Sequence, residues 1–317
     1  MLLKLINIFT VGLFIAMDGF IHIKSISKLH KLIGAENPKH PLLTVIDYSK
    51  ISNAPDHYNV KFVTDFYIIS MKEPAADAIM YGRQYYDFEE GTLFFMSPGQ
   101  VFSVGKPSAT QYKGWALFFH PDLIIGTALA KRIKSFTFFS YAVNEALHVS
   151  EDEKEILNSI LQNIEKEYKL NIDDFSNSVI ITAIEQLLNY SQRYYSRQFI
   201  TRRKENSDLI TRFEQLLSEY FNSAALLSAG MPSVEYFAAK LNLSPNYLSD
   251  LLKKETGKPT KAYIQSEILE QAKYRLLNSN ETVNEIAYSL GFEYPQYFNR
   301  FFKTKTGITP SSFRNLN

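Results

Sequence analysis

The 317-residue chain predicts an α+β protein of two domains. The first is an antiparallel β-barrel followed by a helical segment. The second is an all-α domain in which two helix-turn-helix units are joined by a linker helix. Three observations carry this expectation. Short runs rich in Val, Ile, Phe and Tyr, separated by Pro, Gly and Asp clusters, fill residues 40–120. From about Ser150 the hydrophobic period becomes helical. The segment Val234–Gly257 then recurs as Val283–Gly307.

Composition bounds the chemistry. Hydrophobic residues make up 45% and charged residues 21%, which is enough apolar material to bury a core in each of two domains. With no cysteine, the chain has no disulfide, thiolate zinc site, iron–sulfur cluster or cysteine nucleophile. The formal net charge is only +1, so any claim on nucleic acid has to come from local pattern.

Residues 1–19 read as an extension. Leu5 to Met17 is apolar but broken by Asn7, Thr10 and Gly12, short of the ~20 residues that span a bilayer. Lys4 before this run faintly resembles a signal peptide, yet no A-x-A-like cleavage site follows. Residues 1–16 are therefore expected to be an over-extended gene start or a loose apolar tail.

Residues 20–150 are expected to form the β domain. Its strands are Leu42–Tyr48, Val60–Met71, Thr92–Ser97, Gln100–Val104 and Trp115–His120, with turn chemistry at Asp87–Gly91 and Ser97-Pro98-Gly99. Short strands at near-regular spacing suggest a small antiparallel barrel or sandwich. In residues 151–200 a helix opens on the capping signature Ser150–Glu153 and carries Ile156, Leu157, Ile160, Leu161 and Ile164 on one face. A second helix follows with Val179, Ile180, Ala183, Ile184, Leu187 and Leu188. The Arg- and Ser-rich run Arg193–Lys204 is expected to be a solvated linker between domains.

Residues 206–317 hold the repeat. Pro245-Asn-Tyr-Leu-Ser-Asp-Leu-Leu-Lys253 lies over Pro295-Gln-Tyr-Phe-Asn-Arg-Phe-Phe-Lys303 at an offset of 50, with Thr256 over Thr306 and Gly257 over Gly307. Upstream the offset is 49, placing Phe237-Ala238 over Ile286-Ala287, so the extra residue falls in the turn. In the second copy Thr282 and Glu285 form a capping box, Gly291 ends the first helix, and Pro295 opens the next, with Phe298, Phe301 and Phe302 on its buried face. The first copy matches with Ser233 and Ser244 as caps and Leu248, Leu251 and Leu252 inside. Each copy is a short helix, a tight turn and a second amphipathic helix ending in lysines. Between them Thr260–Asn278 contains no Gly or Pro and places Ile264, Ile268, Ala272 and Leu276 on one stripe. A helix of these 19 residues is ~28 Å long, comparable with the ~34 Å between successive major-groove segments on one face of DNA.

The pattern Ile286-Ala287…Gly291-Phe292…Tyr297-Phe298…Phe302-Lys303…Gly307-Ile-Thr-Pro310…Phe313-Arg314 resembles the AraC/XylS family of transcription regulators over residues 206–317. The resemblance implies that both second helices enter consecutive major-groove segments. By position the groove-facing residues are Asn246, Ser249 and Asp250, then Gln296, Asn299 and Arg300. Asn and Gln can pair bidentately with adenine and Arg with guanine. Lys253 and Lys303 stand where phosphate contacts are expected. Two departures matter. Asp250 replaces a basic residue of many relatives, which shifts the expected affinity to the second unit. Glu267 and Ile268 stand where many relatives have Arg, at the expense of a basic contact. From Val234 onward there are 11 Lys and Arg against 8 Asp and Glu, so binding should be modest and salt-sensitive.

The front half looks more loosely like that family's cupin-like sensor domain with a helical dimerisation region. The carrying segments are Tyr81-Gly82-Arg83…Asp87, Gly91…Pro98-Gly99 and Trp115…His120-Pro121. The histidines (His22, His30, His40, His57, His120, His148) contain no His-x-His pair, so no metal is expected. Tyr67, Tyr81, Phe94, Met96 and Trp115 could line a barrel mouth but read better as core, and no effector site is assigned. What is expected is a cytoplasmic, non-enzymatic, DNA-binding transcription regulator, with no cofactor, catalytic residue or membrane partner. The implied partners are double-stranded DNA, a second copy of the chain, a small-molecule effector of undefined identity, and RNA polymerase where the protein acts as an activator. A cupin-type enzyme, or a signalling protein that senses no ligand, fused to a DNA-binding module, stays open as the alternative.

Overall fold

The computed structural model describes residues 20–51, 60–73, 79–81, 84–86, 91–104, 113–142, 145–170, 173–201, 203–223 and 225–315. The extension 1–19, His57, the Gly82-Arg83 pair and most of the Asp87–Gly91 turn lie outside the described residues. The chain divides into two compact units, Met1–Gln198 and Phe199–Asn317.

Among the described residues of the first unit, ten strands form two five-stranded sheets, ordered β1-β3-β8-β5-β6 and β10-β7-β4-β9-β2. They are β1 (Phe20–Ile23), β2 (Leu43–Asp47), β3 (Lys61–Thr64), β4 (Tyr67–Lys72), β5 (Ile79–Tyr81), β6 (Gln84–Tyr86), β7 (Thr92–Met96), β8 (Val101–Val104), β9 (Gly114–Phe119) and β10 (Leu147–His148). Among the described residues the ladders give two sheets rather than a closed ring. All pairings are antiparallel except β1 with β3, which is parallel in the register Phe20↔Lys61 to Ile23↔Thr64. The single strand expected over Val60–Met71 is two. The break falls at Asp65-Phe66, where the Asp65 carboxylate pairs with His22 Nε2 at 2.6 Å and Phe66 turns into the core.

Strands β4 and β7 are buried along nearly their whole length, as expected of apolar runs covered on both faces. Gly114 allows the β4–β9 ladder to close. It has a φ of +114°, and a Cβ there would lie 2.2 Å from the Met71 carbonyl oxygen. Trp115 is buried, its indole N–H donating to Asn158 Oδ1 at 2.8 Å. Phe94 and Met96 are buried too, consistent with core positions. Helix α1 (Ile26–Ile33), absent from the sequence reading, is capped by Ser25 and closed by Gly34.

After α2 (Ala128–Arg132), α3 (Glu151–Lys169) begins on the expected Ser150–Glu153 capping box. Helix α4 runs Ser176–Thr201. Residues 193–201, read from sequence as an open linker, are its last turns. The Arg197 guanidinium explains the difference, because it grips both carboxylate oxygens of Glu153 (3.1 and 2.6 Å) and the His148 carbonyl (2.8 Å). Gln198 is buried, accepting from His148 N and donating to the Ala146 carbonyl. On α4, Ile180, Ile184, Leu187 and Leu188 are buried as expected, whereas Val179 is half exposed.

The second unit is all helix: α5 (Arg203–Phe221), α6 (Ala225–Ala229), α7 (Val234–Leu241), α8 (Pro245–Thr256), α9 (Thr260–Asn278), α10 (Val283–Ser289), α11 (Pro295–Thr306) and α12 (Pro310–Arg314). One core joins both repeats, with Phe213, Phe237, Ile268, Ala272, Ile286, Leu290, Phe298 and Phe302 all at or near zero exposure. The stripe Ile264, Ile268, Ala272, Leu276 of α9 lies inside this core along its whole length. Arg314 ties the end of α9 to the loop beyond it, donating to the carbonyls of Leu276 (3.1 Å) and Glu281 (2.6 Å).

Candidate nucleic-acid interface

The two helix-turn-helix units are α7–α8 and α10–α11. Their helix starts and exit turns share much of their local chemistry. Ser233 caps α7 and Thr282 caps α10, each hydroxyl accepting from a backbone N–H three residues on, and the Thr282–Glu285 pair closes a complete capping box. Glu285 accepts from the Thr282 backbone and hydroxyl, which holds its carboxyl below the ordinary range. Pro245 and Pro295 open the second helices, and Gly257 and Gly307 end them in the left-handed conformation. Thr256 bonds the carbonyls of Leu252 and Lys258, and Thr306 those of Phe302 and Ile308, so the exit turns also match.

The turns differ in how they reach positive φ. The second uses Gly291 at +78° and the first Asn242 at +57°, the only non-glycine of that kind among the described residues. Asn is the side chain best able to take this conformation.

Helices α8 and α11 each bury one face and present the other. Leu248, Leu251 and Leu252 face the core on α8, as do Phe298 and Phe302 on α11, with Phe301 partly buried. The sequence-predicted contact residues divide accordingly. Asn246 and Lys253 on α8, and Gln296, Asn299, Arg300 and Lys303 on α11, are exposed on the outer face. Ser249 and Asp250 are half-buried, so α8 exposes fewer of its sequence-predicted contact residues than α11. Ile268 is fully buried, so an arginine at that position would have no route to a ligand; its departure from the family pattern is a core choice.

Sequence reasoning missed the tyrosines. Tyr247 and Tyr297 hold the same place in the repeat, yet Tyr247 is 6% exposed and Tyr297 56%. The cause lies outside the repeat: Phe199 packs on the Tyr247 ring at 5.1 Å. Tyr288 and Tyr294 are exposed as well, and the rings of Tyr294 and Tyr297 meet edge-on at 5.6 Å. An exposed, clustered aromatic set has no periodicity to announce it.

Elsewhere, Phe94, Phe95, Met96, Phe138, Tyr141 and Tyr195 line a cavity in the first unit with room for about one water molecule. No set of three or more metal-ligating side chains is grouped among the described residues. No helix among them is long and apolar enough to cross a membrane.

Residues 237–316 match the helix-turn-helix domain family. The chain is 33% identical over 105 residues to the uncharacterized HTH-type transcriptional regulator YobQ of Bacillus subtilis (strain 168), covering 32% of this chain and 44% of that protein. It is 43% identical over 82 residues to the uncharacterized transcriptional regulatory protein YesN of the same organism, covering 25% of this chain and 22% of that one. A solved structure, the C-terminal domain of the two-component response regulator yesN from Fusobacterium nucleatum, is 30% identical, with a TM-score of 0.31, covering 34% of this chain and 98% of that domain. The chain thus spans less than half the length of these two curated relatives.

Proposed function

We propose that this chain, whose carboxy-terminal unit is an AraC-type helix-turn-helix domain, is a sequence-specific transcription regulator that reads double-stranded DNA with α8 and α11. One observation carries the reading. Two copies of one helix-turn-helix motif present polar and basic outer faces, and the uninterrupted α9, buried along one stripe, holds them a fixed distance apart. In this reading Asn246 and Gln296, with Asn299 and Arg300, contact base edges, while Lys253 and Lys303 bind phosphates. Ser249 and Asp250 approach a groove only with their outer atoms.

The amino-terminal unit is read as a cupin-like regulatory module that takes a small effector, its β-rich architecture and aromatic lining supporting this. A cavity the size of one water has to open before such a molecule enters. Pairing with a second copy is supported by Leu170, Phe175 and Val179, exposed apolar residues close in sequence where α3 gives way to α4. In this reading the regulator acts in the cytoplasm, and where it activates transcription its further partner is RNA polymerase.

Selection of duplexes from a random pool by the full chain, followed by Kd measurement at fixed salt, tests the reading. Selected duplex should bind well above random competitor, and Arg300→Ala should lose about 1–3 kcal/mol on it with the fold intact. Equal affinity for selected and random duplex would refute the proposal.

A further inference from the structure

The two reading heads are not equivalent. Three exposed tyrosines surround the start of α11: Tyr288 (53% exposed) at the end of α10, Tyr294 (47%) at the cap position, and Tyr297 (56%) in the first turn. Their counterparts in the first unit offer no such surface. Tyr288 corresponds to Ala239, Tyr294 to Ser244, and Tyr297 to Tyr247, which lies under Phe199. The cap position is the telling one. Ser244 accepts a hydrogen bond from Tyr247 N at 3.2 Å, whereas Tyr294 makes no side-chain cap bond. The second unit gives up a stabilising cap to place an aromatic ring on its surface, and a local rule broken in this way points to function.

We propose that Tyr288 and Tyr297 are DNA-contacting residues of the second unit alone, their hydroxyls donating to backbone phosphate oxygens while the Tyr294 ring braces Tyr297. The inference rests on the DNA-binding reading above and assigns most of the affinity to the second half-site. The occupant is a duplex because Tyr297 shares the first turns of this helix with Gln296, Asn299 and Arg300, and exposed Lys303 follows on the face of these three. Phenols are apt donors to phosphate, and their rings cover sugar surface that a short side chain leaves open. Exposed Glu293 adjoins Tyr294, and exposed Glu285 lies one turn before Tyr288 on α10. The neighbouring Glu293 carboxylate holds the Tyr294 phenol above its ordinary range, and the Tyr294 ring meets that of Tyr297 edge-on at 5.6 Å.

The test uses the full chain and a duplex selected from a random pool, with Tyr288→Phe/Tyr297→Phe as the variant. Phenylalanine keeps the rings, and circular dichroism checks the fold. The expected result is a roughly tenfold weaker Kd at fixed salt. Hydroxyl-radical protection should fade at the half-site under α11 and persist under α8. A Kd within twofold of the parent, while Arg300→Ala still weakens binding, would overturn the tyrosine assignment and leave the DNA-binding reading standing. If the parent prefers no duplex over random competitor, both fall together.

Discussion

Gly291→Ala isolates the contribution of the second turn. Gly291 sits at a φ of +78°, and a Cβ on it would stand 2.9 Å from Leu226 Cδ1, 3.0 Å from the Gly230 carbonyl carbon and 3.0 Å from Met231 N. Two separate costs follow. Holding alanine in the left-handed conformation costs about 1–2 kcal/mol. The backbone atoms of Gly230 and Met231 cannot swing away as a side-chain tip would, so overpacking adds about 1–3 kcal/mol. Gly307 is the internal control. Its φ is +83°, but nothing lies within 4 Å of a Cβ there, so Gly307→Ala should incur only the first cost. Urea unfolding is followed by far-ultraviolet circular dichroism, to which both units contribute and the all-helical second unit contributes most. The single tryptophan, Trp115, belongs to the first unit and provides a separate fluorescence signal for it. Gly291→Ala should lose about 2–5 kcal/mol and Gly307→Ala about 1–2 kcal/mol. Equal losses would show that the close approach to residues 230 and 231 has no energetic weight.

Three more outcomes are expected. Phe298→Ala, at a fully buried position against Phe292 and Phe302, should destabilise the helical unit by about 3–5 kcal/mol in the same denaturation experiment. Glu285, whose folded pKa is depressed, contributes stability above the ordinary 4.5 that disappears as pH falls through the lower folded value. The stability gap between parent and Glu285→Gln should therefore close on acidification; a gap constant with pH would dismiss the charged capping box. Lys303→Ala should lower the slope of log Kd against log salt by about 0.9, and an unchanged slope would remove Lys303 from the phosphate contacts.

The helical unit was legible because its signals are local. Ser233, Ser244, Thr282 and Gly307 mark helix ends through bonds that span three or four residues, Pro295 marks one by its missing N–H, and each lies where its chemistry predicts. The repeat doubled several of these signals, the opening prolines and closing glycines of α8 and α11 among them. In the first unit the strands with strong apolar character were readable. β1 was not, since four residues find their place only by pairing with a strand about forty residues away, and in parallel. Helix α1 carried a readable Ser25 cap and Gly34 stop, but at eight residues its period is short. The linker expectation failed at Arg197, where charge was taken for solvation although its partners, Glu153 and the His148 carbonyl, are distant in sequence. At the interface, residue type and repeat position located the exposed polar side chains. They could not separate Tyr247 from Tyr297, because the difference is made by Phe199.

The stiffness of α9 has a consequence for promoters. A rod with no Gly or Pro along its 19 residues cannot twist to follow its target. One base pair inserted between two half-sites rotates the second by roughly 35° around the duplex and moves it out of phase with the first. For a protein that reads with both heads, point changes within a half-site are then graded losses, whereas insertions and deletions between half-sites are all-or-none. On the proposed DNA-binding reading, its operators should drift in sequence far more freely than in spacing.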